Sequence, residues 1–287
     1  MRYAYIDRKD RVRSDLRGVL LYAFLIFWAL ISLVPLIWVL INSFKSSNEI
    51  LLNSLGLPQQ ITFTNYVTMA TYPDMNLLTA FRNSMIICGG VVSGVLIGAG
   101  FAAFALGRFD NVFNRYVNAL LAGCMLVPAF STLIPNFVLI SASPLRGTWL
   151  AVIFPLIASN MSFSTLLLSG YVRSLPKELD EAAIIDGANT MQVFWKIIVP
   201  LTKPMFATVG VMTFIWTYNE LLLSLVYLPT RNLQPISVIL SLVSNMFGTD
   251  YGAMMAAICL TILPVLILYV LAQEQVVKGL TAGSVKG

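Results

Sequence analysis

VLLYAFLIFWALISLVPLIWVLI, residues Val19 to Ile41, runs without one charged side chain. A helix needs about 20 apolar residues to cross roughly 30 Å of hydrocarbon, so this stretch reads as a membrane span. Five more segments pass the same test: Asn83 to Leu106, Tyr116 to Ala142, Trp149 to Tyr171, Pro204 to Pro229 and Tyr251 to Ala272. The runs are continuous instead of alternating, which excludes the strands of a membrane barrel. The expected fold is all-α, a polytopic transmembrane helical bundle of six spans with both termini cytoplasmic. Pro35, Pro128, Pro135, Pro155 and Pro264 fall inside the spans. Each frees a backbone carbonyl, so kinks are expected where neighbours or water can satisfy it.

Composition agrees. Of 287 residues, 58% are hydrophobic and 11% charged, with a mean hydropathy of +0.82. A soluble domain carries about a quarter charged residues. The chain has no histidine, the commonest acid/base group and metal ligand. Cys88, Cys124 and Cys259 each lie in an apolar run with no partner at metal-ligand spacing. They read as small buried hydrophobes.

Basic residues set the orientation. Arg2, Arg8, Lys9, Arg11, Arg13 and Arg17 crowd the N-terminus. Arg108 and Arg115 follow the second span, Arg173, Lys177, Lys196 and Lys203 the fourth, and Lys278 and Lys286 lie in the tail. The opposite side holds only Lys45, Arg82, Arg146 and Arg231. The positive-inside rule makes the richer side cytoplasmic. Asp7, Asp10 and Asp15 interrupt the N-terminal charges, which disfavours a nucleic-acid arm. The first apolar run is too long for a cleaved signal peptide. The chain thus divides into a cytoplasmic segment 1–18, a six-span domain 19–272 and a cytoplasmic tail 273–287.

In the second span Gly89, Gly90, Gly94, Gly98 and Gly100 recur, and Gly90, Gly94 and Gly98 share one helix face. They suit close helix approach, either inside one bundle or at a subunit contact. The loop 172–203 is less membrane-like. Ser174 is a plausible N-cap, Pro176 fits a first turn, and Glu178, Asp180 and Glu181 complement the helix dipole. Gly187 suits a left-handed C-terminal turn. A second helix is expected over Thr190 to Ile198, with Pro200 and Pro204 ending the loop. The acidic content of the first helix argues against an anionic lipid surface and for a protein partner.

These residues resemble a known family. Glu181-Ala182-Ala183, then Asp186-Gly187-Ala188, then Ile197, Pro200 and Leu201 look like the EAA loop of bacterial ABC importer permeases. The tail from Lys278 to Gly287 looks like the C-terminal signature of the carbohydrate, maltose-permease-type branch. Asn83-Ser84, Asn219-Glu220 and Asp250-Tyr251-Gly252 extend the likeness over nearly the whole chain. Three places depart from the pattern. Tyr218 stands where tryptophan is frequent, Glu274 where the tail is often basic, and Pro144 to Thr148 follows the usual outer turn loosely. These departures leave the particular sugar open.

The resemblance implies a transport subunit of the bacterial cytoplasmic membrane, one half of a pathway for a sugar or related polyol. It implies a second homologous permease, two cytoplasmic ATPase subunits that bind ATP and Mg, and an extracytoplasmic solute-binding protein. Glu181, Ala182, Ala183, Asp186 and Gly187 would then belong to a coupling helix. Its alanines would be small enough to enter an ATPase cleft, Glu181 would meet a donor there, and Gly187 would hold the bend. No cofactor is expected in this chain. Gly279 and Gly283 do not have phosphate-loop spacing, so ATP binding falls to another polypeptide.

Glu220 is the ionisable residue well inside a span, about 24 Å from Pro204 at 1.5 Å per residue. An intramembrane charge is a functional-site hypothesis by default. With Tyr218 and Asn219 it could face a substrate pathway; the alternatives are a subunit-interface pair or a satisfied packing residue. The segment Thr230 to Asp250 resembles the outer loop that touches the binding protein, with a short helix near Pro235 to Val243; a plain connector is the other reading. Two rival functions remain. A secondary transporter usually needs more intramembrane ionisable groups. A membrane enzyme needs an acid/base cluster, and the acidic group of the loop is better explained by capping and docking.

Overall fold

The computed structural model describes residues 8–71, 77–248 and 250–284. Arg2, Asp7, Lys286 and Gly287 lie outside them. Every regular element among the described residues is a helix, in the order α1 (Arg8–Asn42), α2 (Ser47–Leu52), α3 (Thr64–Thr71), α4 (Leu77–Arg108), α5 (Val112–Cys124), α6 (Leu133–Ser141), α7 (Leu150–Ser174), α8 (Glu178–Ile185), α9 (Thr190–Val193), α10 (Val199–Leu201), α11 (Lys203–Tyr218), α12 (Leu222–Tyr227), α13 (Ile236–Phe247) and α14 (Tyr251–Ser284). Among the described residues four helices are long and apolar enough to cross a membrane: α1, α4, α7 and α14. A fifth crossing arises if 190–201 and α11, bent by 76°, count as one span.

Two expected spans are broken. The third divides into α5, a 3-10 turn at Ala129–Thr132 and α6. Pro128 sits at the break with extended ψ, and a proline there cannot donate to the preceding turn. The fifth divides at Asn219–Leu221, between α11 and α12. At the sixth, by contrast, helix continues unbroken past Ala272 to Ser284.

The chain forms two compact units. In the first, residues 1–69 and 244–259, a polar cluster follows α1. Lys45 is fully buried, and its ammonium donates to the carbonyls of Asn53 and Gly56 at 2.9 and 2.6 Å. Asn65 donates to Ser43 and Lys45 carbonyls. Asp250 caps α14, accepting from Ala253 N–H at 3.1 Å and from Ser47 Oγ at 2.7 Å.

The second unit, residues 70–243 and 260–287, is built on α4 against α7. A methyl added to Gly90 would lie 2.9 Å from Ile153 and one on Gly98 2.7 Å from Met161; one on Gly94 would collide with Ile157. The sequence left these glycines two uses, and the structure uses all three inside the chain. Since 90, 94 and 98 meet 153, 157 and 161 in rising order, α4 and α7 run parallel. Gly100 meets Phe206 and Gly210 meets Leu96, so α11 runs antiparallel to α4. Val91, Val95, Ala99, Val152, Leu156, Leu168, Met205 and Val209 fill the resulting core. The cysteines differ from expectation: Cys88 is buried, Cys259 half-buried and Cys124 exposed, because α5 buries none of its residues.

Candidate functional site

The loop between α7 and α11 folds as a helix, a sharp bend and a second helix. It does not start where the sequence suggests. α7 continues through Ser174, whose hydroxyl donates back to the Tyr171 carbonyl at 2.7 Å. α8 therefore begins at Glu178 after Lys177, with no side-chain cap, and Pro176 precedes its first turn. Glu178, Asp180 and Glu181 occupy that turn, where the helix dipole favours negative charge.

The bend is at Gly187, with φ +86°. Ala188 N–H donates to the Ala183 carbonyl at 2.9 Å and Gly187 N–H to Ile184 at 3.0 Å. This pair of bonds is the Schellman ending, which needs a left-handed residue and so favours glycine. Asn189 then starts the second helix through a reciprocal capping box with Gln192. The helix expected over 190–198 is present with a π turn at Phe194–Ile198 and continues through α10 to Leu201. The chain then turns at Thr202, whose hydroxyl donates to the Ile198 carbonyl at 2.6 Å, and Pro204 lies in the first turn of α11.

One side of this loop packs on the chain itself. Ala183, Ala188, Leu175 and Val199 lie against Phe104, Val172, Val193, Phe194 and Ile198. The other side is open: Glu181, Ala182, Asp186 and Gly187 are exposed, and Ile184 and Ile185 are 60% and 85% exposed. Ala182 and Ala183, paired by sequence, thus face different surroundings. Ala183 packs on the chain's own core.

Two arginines tie the loop to the end of α4, a link the sequence does not reveal because about 70 residues separate the partners. Arg108, its side chain 4% exposed, places Nε 2.7 Å from Asp180 Oδ2 and donates from its terminal nitrogens to Leu175 O at 2.9 Å and Asp180 Oδ1 at 3.3 Å. Burial raises the pKa of Asp180 above the ordinary carboxylate value, Arg108 pulls it down, and Glu181 adds to the rise. Arg173 donates twice to the Leu106 carbonyl, at 3.2 and 2.9 Å, covering the C-terminal end of α4.

The second set, Tyr218, Asn219 and Glu220, lies at the break of the fifth span. Glu220 is not inside a continuous helix. Its Oε1 accepts from Leu223 N–H at 2.6 Å, opening α12, and its carbonyl accepts from Ser237 Oγ at 2.7 Å. Tyr218 is buried, its hydroxyl donating to the Thr261 carbonyl at 3.0 Å. That carbonyl is one residue from Leu260, whose helical donor Pro264 removes. Asn219 is exposed and donates to the Ile215 carbonyl. Of the three, Tyr218 is buried, Asn219 exposed and Glu220 half-buried.

The expected short helix near 235–243 is α13, which runs to Phe247. Asn83 and Ser84 hold the segment before it: Asn83 Nδ2 donates to Asn232 and Gln234 carbonyls, and Ile236 N–H donates to Ser84 Oγ.

A model of the family described as binding-protein-dependent transport system inner membrane component matches residues 90–281. A putative ABC transporter permease protein, ORF2, of Caldicellulosiruptor sp. (strain Rt8B.4) is 35% identical over 93% of this chain and 96% of its own length. The diacetylchitobiose uptake system permease protein NgcG of Streptomyces coelicolor is 31% identical over 94% and 90%. Among solved structures, a chain of a bacterial ABC transporter involved in the import of the acidic polysaccharide alginate superposes with a TM-score of 0.76 at 24% identity, covering 95% of this chain and 99% of that one.

Proposed function

The chain belongs to the family of binding-protein-dependent transport system inner membrane components, and on that premise we propose that it forms half of the pathway of an ABC importer for a sugar or oligosaccharide. It is a multi-pass inner-membrane protein and a transport component. The observation that carries the proposal is the open face of α8 at Glu181, Ala182, Ile184, Ile185 and Asp186, held by Gly187 and tied to α4 through Arg108. The sugar class is supported by relatives such as the diacetylchitobiose permease.

The proposed topology has six spans: α1, α4, broken α5–α6, α7, α11–α12 and α14. The parallel run of α4 and α7 supports it, since the chain between their equal ends must cross back once. Antiparallel α11 supports the next crossing. Six crossings put both termini on one side, and the basic residues make that side cytoplasmic.

In this mechanism α8 docks on a cytoplasmic ATPase subunit. Two such subunits hold ATP and Mg, and a second, homologous permease completes the pathway. When the ATPases close, the push on α8 passes through Asp180 to Arg108 and α4, and through α7 and Arg173 to the Leu106 carbonyl. Differential contact in the two states is what lets nucleotide shift the bundle. A solute-binding protein outside delivers the sugar to the face carrying residues 230–248, which Asn83 and Ser84 brace. Asn219 and Glu220 offer polar groups to the passing sugar; Tyr218 positions α11 against α14.

The test is uptake into proteoliposomes holding this chain, its co-encoded permease and the ATPases. Labelled di- and oligosaccharides should enter only with ATP and binding protein present. Uptake that persists without the ATPases would replace the proposal with an autonomous carrier.

A further inference from the structure

A recess of about 630 Å³ lies beside the end of α4, between α5 and the end of α7. It is the size of a small-ligand site, and of its lining the coupling path uses only Arg173 and the Leu106 carbonyl. Arg115, Arg173 and Lys177 line it together with a single carboxylate, Asp110. Asp110 is 94% exposed and pairs with Lys177 Nζ at 3.1 Å, which leaves the recess with a formal excess of two positive charges. The amides of Asn114 and Asn118 are engaged with Phe109 and Asn114 carbonyls, Arg173 with the Leu106 carbonyl and Lys177 with Asp110, so Arg115 is the cation whose charge the recess leaves uncommitted.

The helix forming its wall has an unusual polarity. Asn111, Asn114, Arg115 and Asn118 occupy the recess side of α5 at helical spacing. Phe113, Tyr116 and Leu120, about half a turn away, are 70%, 68% and 66% exposed, and no residue of α5 is buried. A helix with its polar face toward a recess and its apolar face exposed is the reverse of a surface helix in water and suits a hydrocarbon surrounding.

We propose that this recess binds the phosphate headgroup of an anionic membrane lipid in the inner leaflet, with the acyl chains lying along the apolar face of α5. Charge complementarity selects the headgroup: basic pockets between spans on the cytoplasmic side are suited to anionic lipids. The apolar face selects a lipid over a soluble phosphate, which would gain nothing from Phe113, Tyr116 or Leu120. Arg115 is the clearest reporter, because it is exposed and sits on the polar side of α5, whereas Arg173 also covers the end of α4. The placement in the inner leaflet rests on the topology proposed above; binding itself does not.

The test is native mass spectrometry of the full chain released from nanodiscs containing phosphatidylglycerol and phosphatidylcholine. Each cation near such a headgroup changes binding by about fivefold. Arg115→Glu removes one and adds an opposing charge, so retained phosphatidylglycerol should fall by about thirtyfold. Arg82→Glu, an exposed arginine away from the recess, should leave retention unchanged. Both variants should melt with the wild type in phosphatidylcholine alone, separating lost binding from lost folding. Equal retention in wild type and Arg115→Glu would overturn the assignment. So would displacement of the bound lipid by millimolar inorganic phosphate, which would mark a soluble-anion site. Neither failure touches transport, which is read separately by ATP-dependent uptake.

Discussion

Replacing Gly187 isolates the bend from the surfaces on either side of it. Its φ of +86° is one that side-chain-bearing residues adopt at a cost of about 1–2 kcal/mol. A methyl there would meet nothing within 4 Å, so space plays no part. Gly187→Ala also reduces the freedom of the unfolded chain, which returns about 0.4–1 kcal/mol. The net loss is about 1 kcal/mol, roughly a fivefold fall in the population of the correct bend. Gly187→Pro is far more severe. It cannot reach positive φ, and it removes the N–H that bonds Ile184 at 3.0 Å, for about 3 kcal/mol or more. The assay is co-purification of the ATPase with the permease, alongside ATP-driven uptake. Alanine should weaken both several-fold and proline should abolish both, while Gly123→Ala, also in open space but at negative φ, should match wild type. If Gly187→Pro retained normal uptake, the bend would not be the coupling element and the reasoning would fail.

Asp180→Asn should leave the buried Arg108 guanidinium without its counter-charge. A loss of about 2 kcal/mol is expected in thermal unfolding, below the range for fully buried pairs because Asp180 retains some exposure. ATP hydrolysis without uptake should accompany it. Gly94→Leu should jam α4 against Ile157 and lower stability by about 1–3 kcal/mol, measured by melting in detergent. Tyr218→Phe should cost about 1 kcal/mol through the lost bond to Thr261 and leave the apparent KM for sugar unchanged; a large rise in KM would return Tyr218 to the pathway. Glu220→Gln should keep the helix start, since an amide oxygen can still accept from Leu223, so a change in sugar selectivity would report the pathway role of the carboxylate.

Hydropathy located every long helix because burial in lipid is a property of side-chain runs: α1, α4, α7 and α14 follow directly. Hydropathy alone ran through the breaks at Pro128, where the proline was the visible clue, and at Asn219–Leu221, because such breaks depend on backbone hydrogen bonds instead of side-chain polarity. The polar clue at the second break was visible, since Glu220 was conspicuous, but its carboxylate starts a helix instead of interrupting one. Gly187 was legible because left-handed backbone leaves a residue-type signature. Ser174 was misleading because the same hydroxyl can cap a new helix or bond back into an old one, and which occurs depends on where α7 stops. Arg108 read only as a topological charge. Its contact with Asp180 exists because the ends of parallel α4 and α7 meet, a fact of packing that no local pattern carries.

If α8 meets an ATPase subunit with its open face, photo-crosslinking from single positions on α8 should join the two. A benzophenone side chain at Ile185, 85% exposed, should capture the ATPase in membranes, whereas one at Leu225, on α12, should not. Capture of the ATPase from Ile185 alone is the predicted result. No capture at Ile185 in a complex that still imports sugar would mean that α8 is not the ATPase docking element.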